Sequence, residues 1–182
     1  MLFRSETPGL NDYVTMRMND DGGPWYNAFV AVCGGYELPA ATLRGPHARA
    51  LSQSIALIAG IDNDIFSFHR EEAVGQKNIV HILMRDHECS APQAMAAAVD
   101  MRNRVTCLYA RLRHKITAGG DLLLGRYAQD LGHVVSGHLQ WTQSTDRYHI
   151  GPPVPVVFTD DTTGIDPAPI PLSATAWWWD LL

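Results

Sequence analysis

Apolar positions recur at three- and four-residue spacing from about Pro8 to Thr145, and the alternating β-branched runs that signal strands are missing. The pattern predicts six helices. Short ones cover Pro8 to Met18 and Pro24 to Cys33, parted by the helix-breaking run Asn19-Asp20-Asp21-Gly22-Gly23. Gly34-Gly35 ends the second, and the chain turns through Leu38-Pro39. A long helix follows from about Pro46 to Ala73, with proline at its start, where a missing N–H costs little. Leu51, Ile55, Ile58, Ile65 and Phe66 mark its inward face. Gly75 breaks the chain, and Asn78 to His87 makes a shorter helix. Ser90 is an N-cap, with Pro92 in the first turn and Gln93 three residues on, opening a helix to about Ile116. Ala118-Gly119-Gly120 turns the chain, and Asp121 caps a last helix to about Thr142.

After Tyr148 the pattern is lost. Pro152, Pro153, Pro155, Pro167, Pro169 and Pro171 fill a segment that ends near Trp177-Trp178-Trp179. The expected organisation is an all-α domain over residues 1–150 and a flexible proline-rich tail without stable regular structure over 151–182. There is no internal repeat.

Composition changes this picture little. A chain of 182 residues, 46% hydrophobic and 18% charged, suits one globular domain with a real core. The net charge of −5 argues against nucleic acid or an anionic membrane as the main partner. No stretch approaches the roughly 20 apolar residues of a membrane span. Cys33, Cys89 and Cys107 are widely spaced and form no CxxC pair, as expected of buried thiols in a reducing, cytoplasmic compartment. An acidic protein can still bind an anion locally, through metal ions or a few placed arginines.

One stripe carries chemistry. Asn63, Ser67 and Glu71 are spaced i, i+4, i+8, so they share one face of the long helix and span about 12 Å along its axis. Helical side chains lean toward the N-terminus, which lets long Glu71 reach back over short Ser67. An amide oxygen, a hydroxyl and a carboxylate are hard donors that suit octahedral Mg²⁺ and are a poor set for zinc. The spacing alone is equally that of a solvated polar face. Against that reading, Ile65, Phe66 and Phe68 interrupt the polar positions, and Glu72 beside Glu71 adds acidity that a bound cation would relieve.

The run Asn63-Asp64-Ile65-Phe66-Ser67-Phe68-His69-Arg70-Glu71 resembles the second metal-binding motif of bacterial class I terpene synthases, (N/D)Dxx(S/T)xx(K/R)(E), at every specified position. The resemblance implies that Asn63, Ser67 and Glu71 hold one Mg²⁺ and that Arg70 helps to neutralise a diphosphate. Arg17, 46 residues before Asn63 and just ahead of the helix break, resembles the family's diphosphate sensor. Asp20 would then be the linker that hydrogen-bonds the sensor, and the main-chain carbonyl of Asp21 the effector aimed at the substrate. The family often has glycine at the effector position, so Asp21 is a departure. Arg147-Tyr148 resembles the C-terminal pair that closes over the diphosphate. Trp25, Tyr26 and Phe29 are either cavity-lining or core aromatics. The eight histidines form no ligand pattern, and no role is attached to His138.

The resemblance covers roughly Thr7 to Tyr148 and implies the C-terminal part of the class I terpenoid synthase helical bundle. Its chemistry would be Mg²⁺-dependent ionisation and cyclisation of an isoprenyl diphosphate, with farnesyl diphosphate favoured by family frequency and a homodimer open as assembly. The aspartate-rich motif of a complete cyclase is not here: Asp20-Asp21 runs into the helix break, and Asp160-Asp161 lies in the tail. The expectation is therefore a truncated chain, inactive alone, whose inward faces lack partner helices and leave it adhesive or partly unfolded. A sharp cooperative melt of a monomer would count against that. The alternative is a non-catalytic helical module. A prenyl-chain-elongating enzyme is disfavoured, because those carry a second aspartate-rich motif where this chain has Asn, Ser and Glu.

Overall fold

The long helix predicted from Pro46 becomes the axis around which the other helices assemble. The structure, a computed structural model, describes residues 7–20, 23–157, 159 and 161–182, and of residues 20, 23 and 24 only the backbone. In chain order the helices are α1 (Leu10–Asp20), α2 (Gly23–Gly34), α3 (Ala40–Arg44), α4 (Pro46–Ala73), α5 (Ile79–Asp86), α6 (Ala91–Ala118) and α7 (Leu122–Ser144). Among the described residues there is no strand, and no helix is long and apolar enough to cross a membrane. The short helix α3 is the one helical element before α7 that the sequence reading left as turn.

Local chemistry explains the boundaries. Asn78 opens α5 by accepting from the Val80 N–H at 3.0 Å. Ser90 opens α6, where its N–H donates to Gln93 Oε1 at 3.0 Å, one half of a capping box. Asp121 opens α7 by accepting from the Leu124 N–H at 3.0 Å. Each satisfies a donor that a helix end would otherwise leave orphaned.

Helix α4 packs against α1, α2, α5, α6 and α7, so it is buried over much of its circumference. Leu51, Ile55, Ile58, Ile61, Ile65 and Phe68 enter the core from it. Opposite them, α6 presents Ala94, Ala98, Met101, Val105, Leu108, Leu112 and Ile116, an unbroken stripe at three- and four-residue spacing. Phe66 is only half-buried, not inward-facing as its hydrophobicity suggests, because it turns toward Tyr148 at 6.3 Å between ring centroids.

The C-terminal segment differs from its expected lack of regular structure. Residues 151–157 are irregular, but Ala176–Leu181 forms a 3-10 helix and Trp178 is fully buried. Ile170 and Leu172 join the same core. Trp178 Nε1 donates to Gln53 Oε1 of α4, and Lys115 Nζ of α6 donates to the carbonyls of Leu181 and Leu182 at 2.9 and 2.8 Å. Asn11 Oδ1 of α1 accepts from the Ala174 N–H at 3.0 Å. The prolines forbid a long helix here, yet they pre-set an extended path, and burial of a tryptophan outweighs the missing local propensity. Trp178→Ala should cost about 3–5 kcal/mol, the usual loss for a truncated core aromatic, read from the denaturant midpoint.

One surface stays uncovered. Trp25, Tyr26, Phe29 and Val32 of α2 are 74%, 62%, 57% and 70% exposed, an apolar face that no described element covers.

Candidate metal and diphosphate site

The face of α4 opposite its core stripe meets α1 and the turn after α7, and the candidate residues come together there. Arg17 Nη2 of α1 donates to Gly60 O at 3.1 Å, Asn63 Oδ1 at 3.2 Å and Asp64 Oδ1 at 2.6 Å. Asn63 Nδ2 donates to the Tyr148 hydroxyl at 2.8 Å. Since a guanidinium can only donate, Asn63 Oδ1 is the arm that faces Arg17, which leaves Nδ2 to donate to Tyr148. Three segments distant in sequence are thus joined in one hydrogen-bonded chain.

Arg147 and Tyr148 form a single 3-10 turn after α7, Asp146–Tyr148. Tyr148 is buried edge-on against Phe66 and Trp141, with its ring 5.5 Å from that of Trp141. Arg147 is exposed and its guanidinium lies 5.7 Å from the Tyr148 ring centroid. The dipeptide therefore divides its labour, the tyrosine anchoring the turn and the arginine remaining at the surface.

Ser67 is fully buried and its Oγ has no hydrogen-bond partner. A buried hydroxyl left unpaired costs about 1–3 kcal/mol, a cost that a bound ligand would remove. Glu71 Oε2 accepts from Asn78 Nδ2 at 2.9 Å, and Glu71 Oε1 lies 3.3 Å from Arg70 Nη2. The Arg70 Nε is likewise buried without a partner. Orphaned Ser67 Oγ, a one-carboxylate set of hard oxygens and two nearby guanidinium groups fit a divalent cation that shares its remaining positions with an anionic ligand. Among the described residues no group of three or more His, Cys, Asp or Glu could hold a metal, so an ion at this stripe would depend on the amide and hydroxyl oxygens of Asn63 and Ser67 beside Glu71.

Asp20 lies in the last turn of α1, with its side chain not described, and Asp21 lies outside the described residues.

Asp64 was read in the motif but given no role, and it is the hub beneath the site. It is 2% exposed and accepts from Arg17, from the Tyr13 hydroxyl at 2.7 Å and from the Ile79 N–H at 3.0 Å. Burial pushes its carboxyl up to about 6, against the pull of Arg17 and of the Tyr13 hydrogen bond. Its signal was legible. Asp64 lies between the site face and the buried Ile61, Ile65 and Phe68, where a carboxylate requires a buried cation or donors. Asn78, which bonds both Glu71 and the Asp64 carbonyl, carried no comparable signal, because its role depends on how α5 returns along α4.

A cavity of about 930 Å³ opens beside the site between α2, α4 and α7. Tyr26, Phe29, Ile55, Ala59 and Trp141 give it apolar and aromatic walls, and Asn63, Arg147 and Tyr148 line it too. Tyr26 and Phe29 are thus cavity residues, while Trp25 neither lines it nor enters the core. The volume is that of a site for a sizeable organic ligand, with its polar end at the Arg17–Asn63–Tyr148 chain.

Residues 2–106 match the family described as terpene synthase family 2, C-terminal metal binding. Spiroviolene synthase of Streptomyces violens is 32% identical over 95% of this chain and 51% of its own length. Bonnadiene synthase of Allokutzneria albata is 30% identical, over 95% and 51%. In structure, the chain is similar to the SVS_A2 protein from ancestral sequence reconstruction, with a TM-score of 0.81 and 29% identity over 98% of this chain and 51% of that one. The chain spans about half the length of the curated relatives it matches.

Proposed function

The chain belongs to terpene synthase family 2, matching its C-terminal metal-binding portion, and from that premise we propose that it supplies the diphosphate-gripping half of a cyclase acting on an isoprenyl diphosphate. Farnesyl diphosphate is the proposed substrate and Mg²⁺ the proposed metal, held by Asn63, Ser67 and Glu71. The observation that carries this reading is the hydrogen-bonded chain from Arg17 through Asn63 to Tyr148 at the mouth of an apolar cavity.

Each group has a task. Mg²⁺, when bound, neutralises the charge of the leaving diphosphate. Arg17, Arg70 and Arg147 grip its oxygens, for which planar guanidinium forks are suited. Arg147, exposed on a short turn, is placed to close over the anion. Tyr148 keeps that turn registered against Asn63. The apolar cavity holds the isoprenoid chain away from water, and the faces of Tyr26, Phe29 and Trp141 stabilise an allylic cation as it cyclises. Asp20 and the Asp21 carbonyl are proposed as linker and effector on the resemblance alone.

The uncovered face of α2 supports assembly with further helical surface, either aspartate-rich helices or a second copy of the chain. A cytoplasmic setting is proposed. Calorimetric titration with pyrophosphate tests the reading. Binding should require Mg²⁺ and weaken at least about tenfold in Asn63→Ala and in Glu71→Ala. Metal-independent or absent binding would favour a non-catalytic helical module instead.

A further inference from the structure

The turn that closes α4 delivers one buried amide to the Asn63–Ser67–Glu71 stripe. Gly75, at φ +71°, takes the left-handed position that ends the helix. The Gln76 N–H donates to Glu71 O at 2.9 Å and the Gly75 N–H to Glu72 O at 3.1 Å, the paired bonds of a Schellman motif. The chain thereby folds back on the last turns of α4, and Asn78 comes to rest beside Glu71, 1% exposed.

Every polar atom of the Asn78 side chain is engaged. Oδ1 accepts from the Val80 N–H at 3.0 Å. A backbone N–H can only donate, so the oxygen lies on that side and the Nδ2 arm faces α4. There Nδ2 donates to Asp64 O and to Glu71 Oε2, each at 2.9 Å. An N-cap requires only the acceptor oxygen, which serine, threonine or aspartate supplies as well. Capping therefore accounts for one arm of the amide and not for the other.

Glu71 has a second neighbour, Arg70, but the two contacts differ. Arg70 Nη2 lies 3.3 Å from Oε1, on a long side chain that is 28% exposed and adjacent in sequence. Asn78 is short, buried, pinned at both arms and closer. It is the Asn78 bond that restricts how the Glu71 carboxylate can turn. Groups that bond a metal ligand without touching the ion orient that ligand, and their loss commonly costs about 10–100-fold in metal affinity.

We propose that Asn78 is a positioning residue for the metal: it holds Glu71 Oε2 and so orients the carboxylate toward the ion that Asn63 and Ser67 share with it. This rests on the cyclase reading above. The bond from the same Nδ2 to the Asp64 carbonyl ties the orienting group to the turn of α4 that carries Asn63. Asn78 touches neither the ion nor the diphosphate and acts through Glu71 alone.

The test is calorimetric titration of pyrophosphate into the 182-residue chain over a series of Mg²⁺ concentrations. Asn78→Ser keeps a capping oxygen and removes both donors. It should raise the Mg²⁺ concentration for half-maximal binding at least about tenfold, while saturating Mg²⁺ restores pyrophosphate affinity to within about twofold. In a Glu71→Ala background the same substitution should change that concentration less than about twofold, since no carboxylate remains to be oriented. An unchanged Mg²⁺ requirement overturns the proposal. So does a loss that saturating Mg²⁺ does not recover, or one that persists undiminished in Glu71→Ala, because either assigns Asn78 to stability alone. Should Asn78→Ser fail to fold, NMR of the wild-type chain decides. The Asn78 side-chain NH₂ signals should shift when Mg²⁺ is added with pyrophosphate and stay protected from solvent exchange; signals that do not respond overturn the proposal. If the wild-type chain binds pyrophosphate with Mg²⁺ and Asn78→Ser changes nothing, the positioning role alone fails. If that binding is absent, the cyclase reading fails and the role falls with it.

Discussion

No detectable turnover of farnesyl diphosphate is expected from the 182-residue chain with Mg²⁺, and cyclised product is expected once helices carrying an aspartate-rich motif are joined ahead of residue 7. The reason is electrostatic. The stripe on α4 offers one carboxylate, Glu71, and that carboxylate is already shared with Asn78 and Arg70. Removing a single group that stabilises developing charge commonly costs a factor of about 10²–10³ in rate. Lacking a whole second set of metal ligands multiplies such losses beyond detection. Solvent adds to the defect. Tyr26 and Phe29 line the cavity while remaining more than half exposed, so bulk water reaches the place where a cation must survive. Product analysis by gas chromatography checks both arms. Cyclised product released by the chain alone would show that these residues need no complement.

Asp64→Asn should destabilise the fold by about 1–3 kcal/mol, the usual cost of leaving a buried hydrogen-bond partner unsatisfied. Its carboxylate ties α1 to α4 through Arg17 and Tyr13, and α4 to α5 through the Ile79 N–H. An amide offers one oxygen to three donors and turns an NH2 group toward one of them. Asp86→Asn, which breaks the exposed pair with Arg85, serves as a control with no comparable loss. The pH dependence has a definite sign. Burial raises the Asp64 carboxyl from 3.8 to about 6 in the folded protein. Between those values the folded state binds a proton that the unfolded chain has released. This group's contribution is therefore fully present below about pH 4 and is lost as pH rises through about 6. Chemical denaturation across that window should show falling stability in the wild type and a flatter profile in Asp64→Asn.

Much of the fold was legible because helices declare themselves locally. Ser90 and Asp121 cap the helices that their side chains predict, and glycine ends α2, α4 and α6 within two residues. The candidate site was legible as a list of residues: Arg17, Asn63 and Tyr148 were named from motif spacing, and the structure brings them into bonding distance. What the spacing could not convey was the arrangement between elements. Asn78 bonds Glu71 only because α5 turns back along α4. The three tryptophans near the C-terminus read as an unstructured tail because their stabilisation comes from α4 and α6, about 60 or more residues away in sequence.

Mn²⁺ substituted for Mg²⁺ in the presence of pyrophosphate puts the central claim to its most direct test, because the paramagnetic ion broadens NMR signals steeply with proximity. The account predicts selective broadening at Asn63, Ser67 and Glu71, weaker effects at Arg17, Arg147 and Tyr148, and loss of the pattern in Asn63→Ala. Broadening centred instead on surface carboxylates such as Asp100, Asp146 or Asp166, with the α4 stripe unaffected, would contradict it.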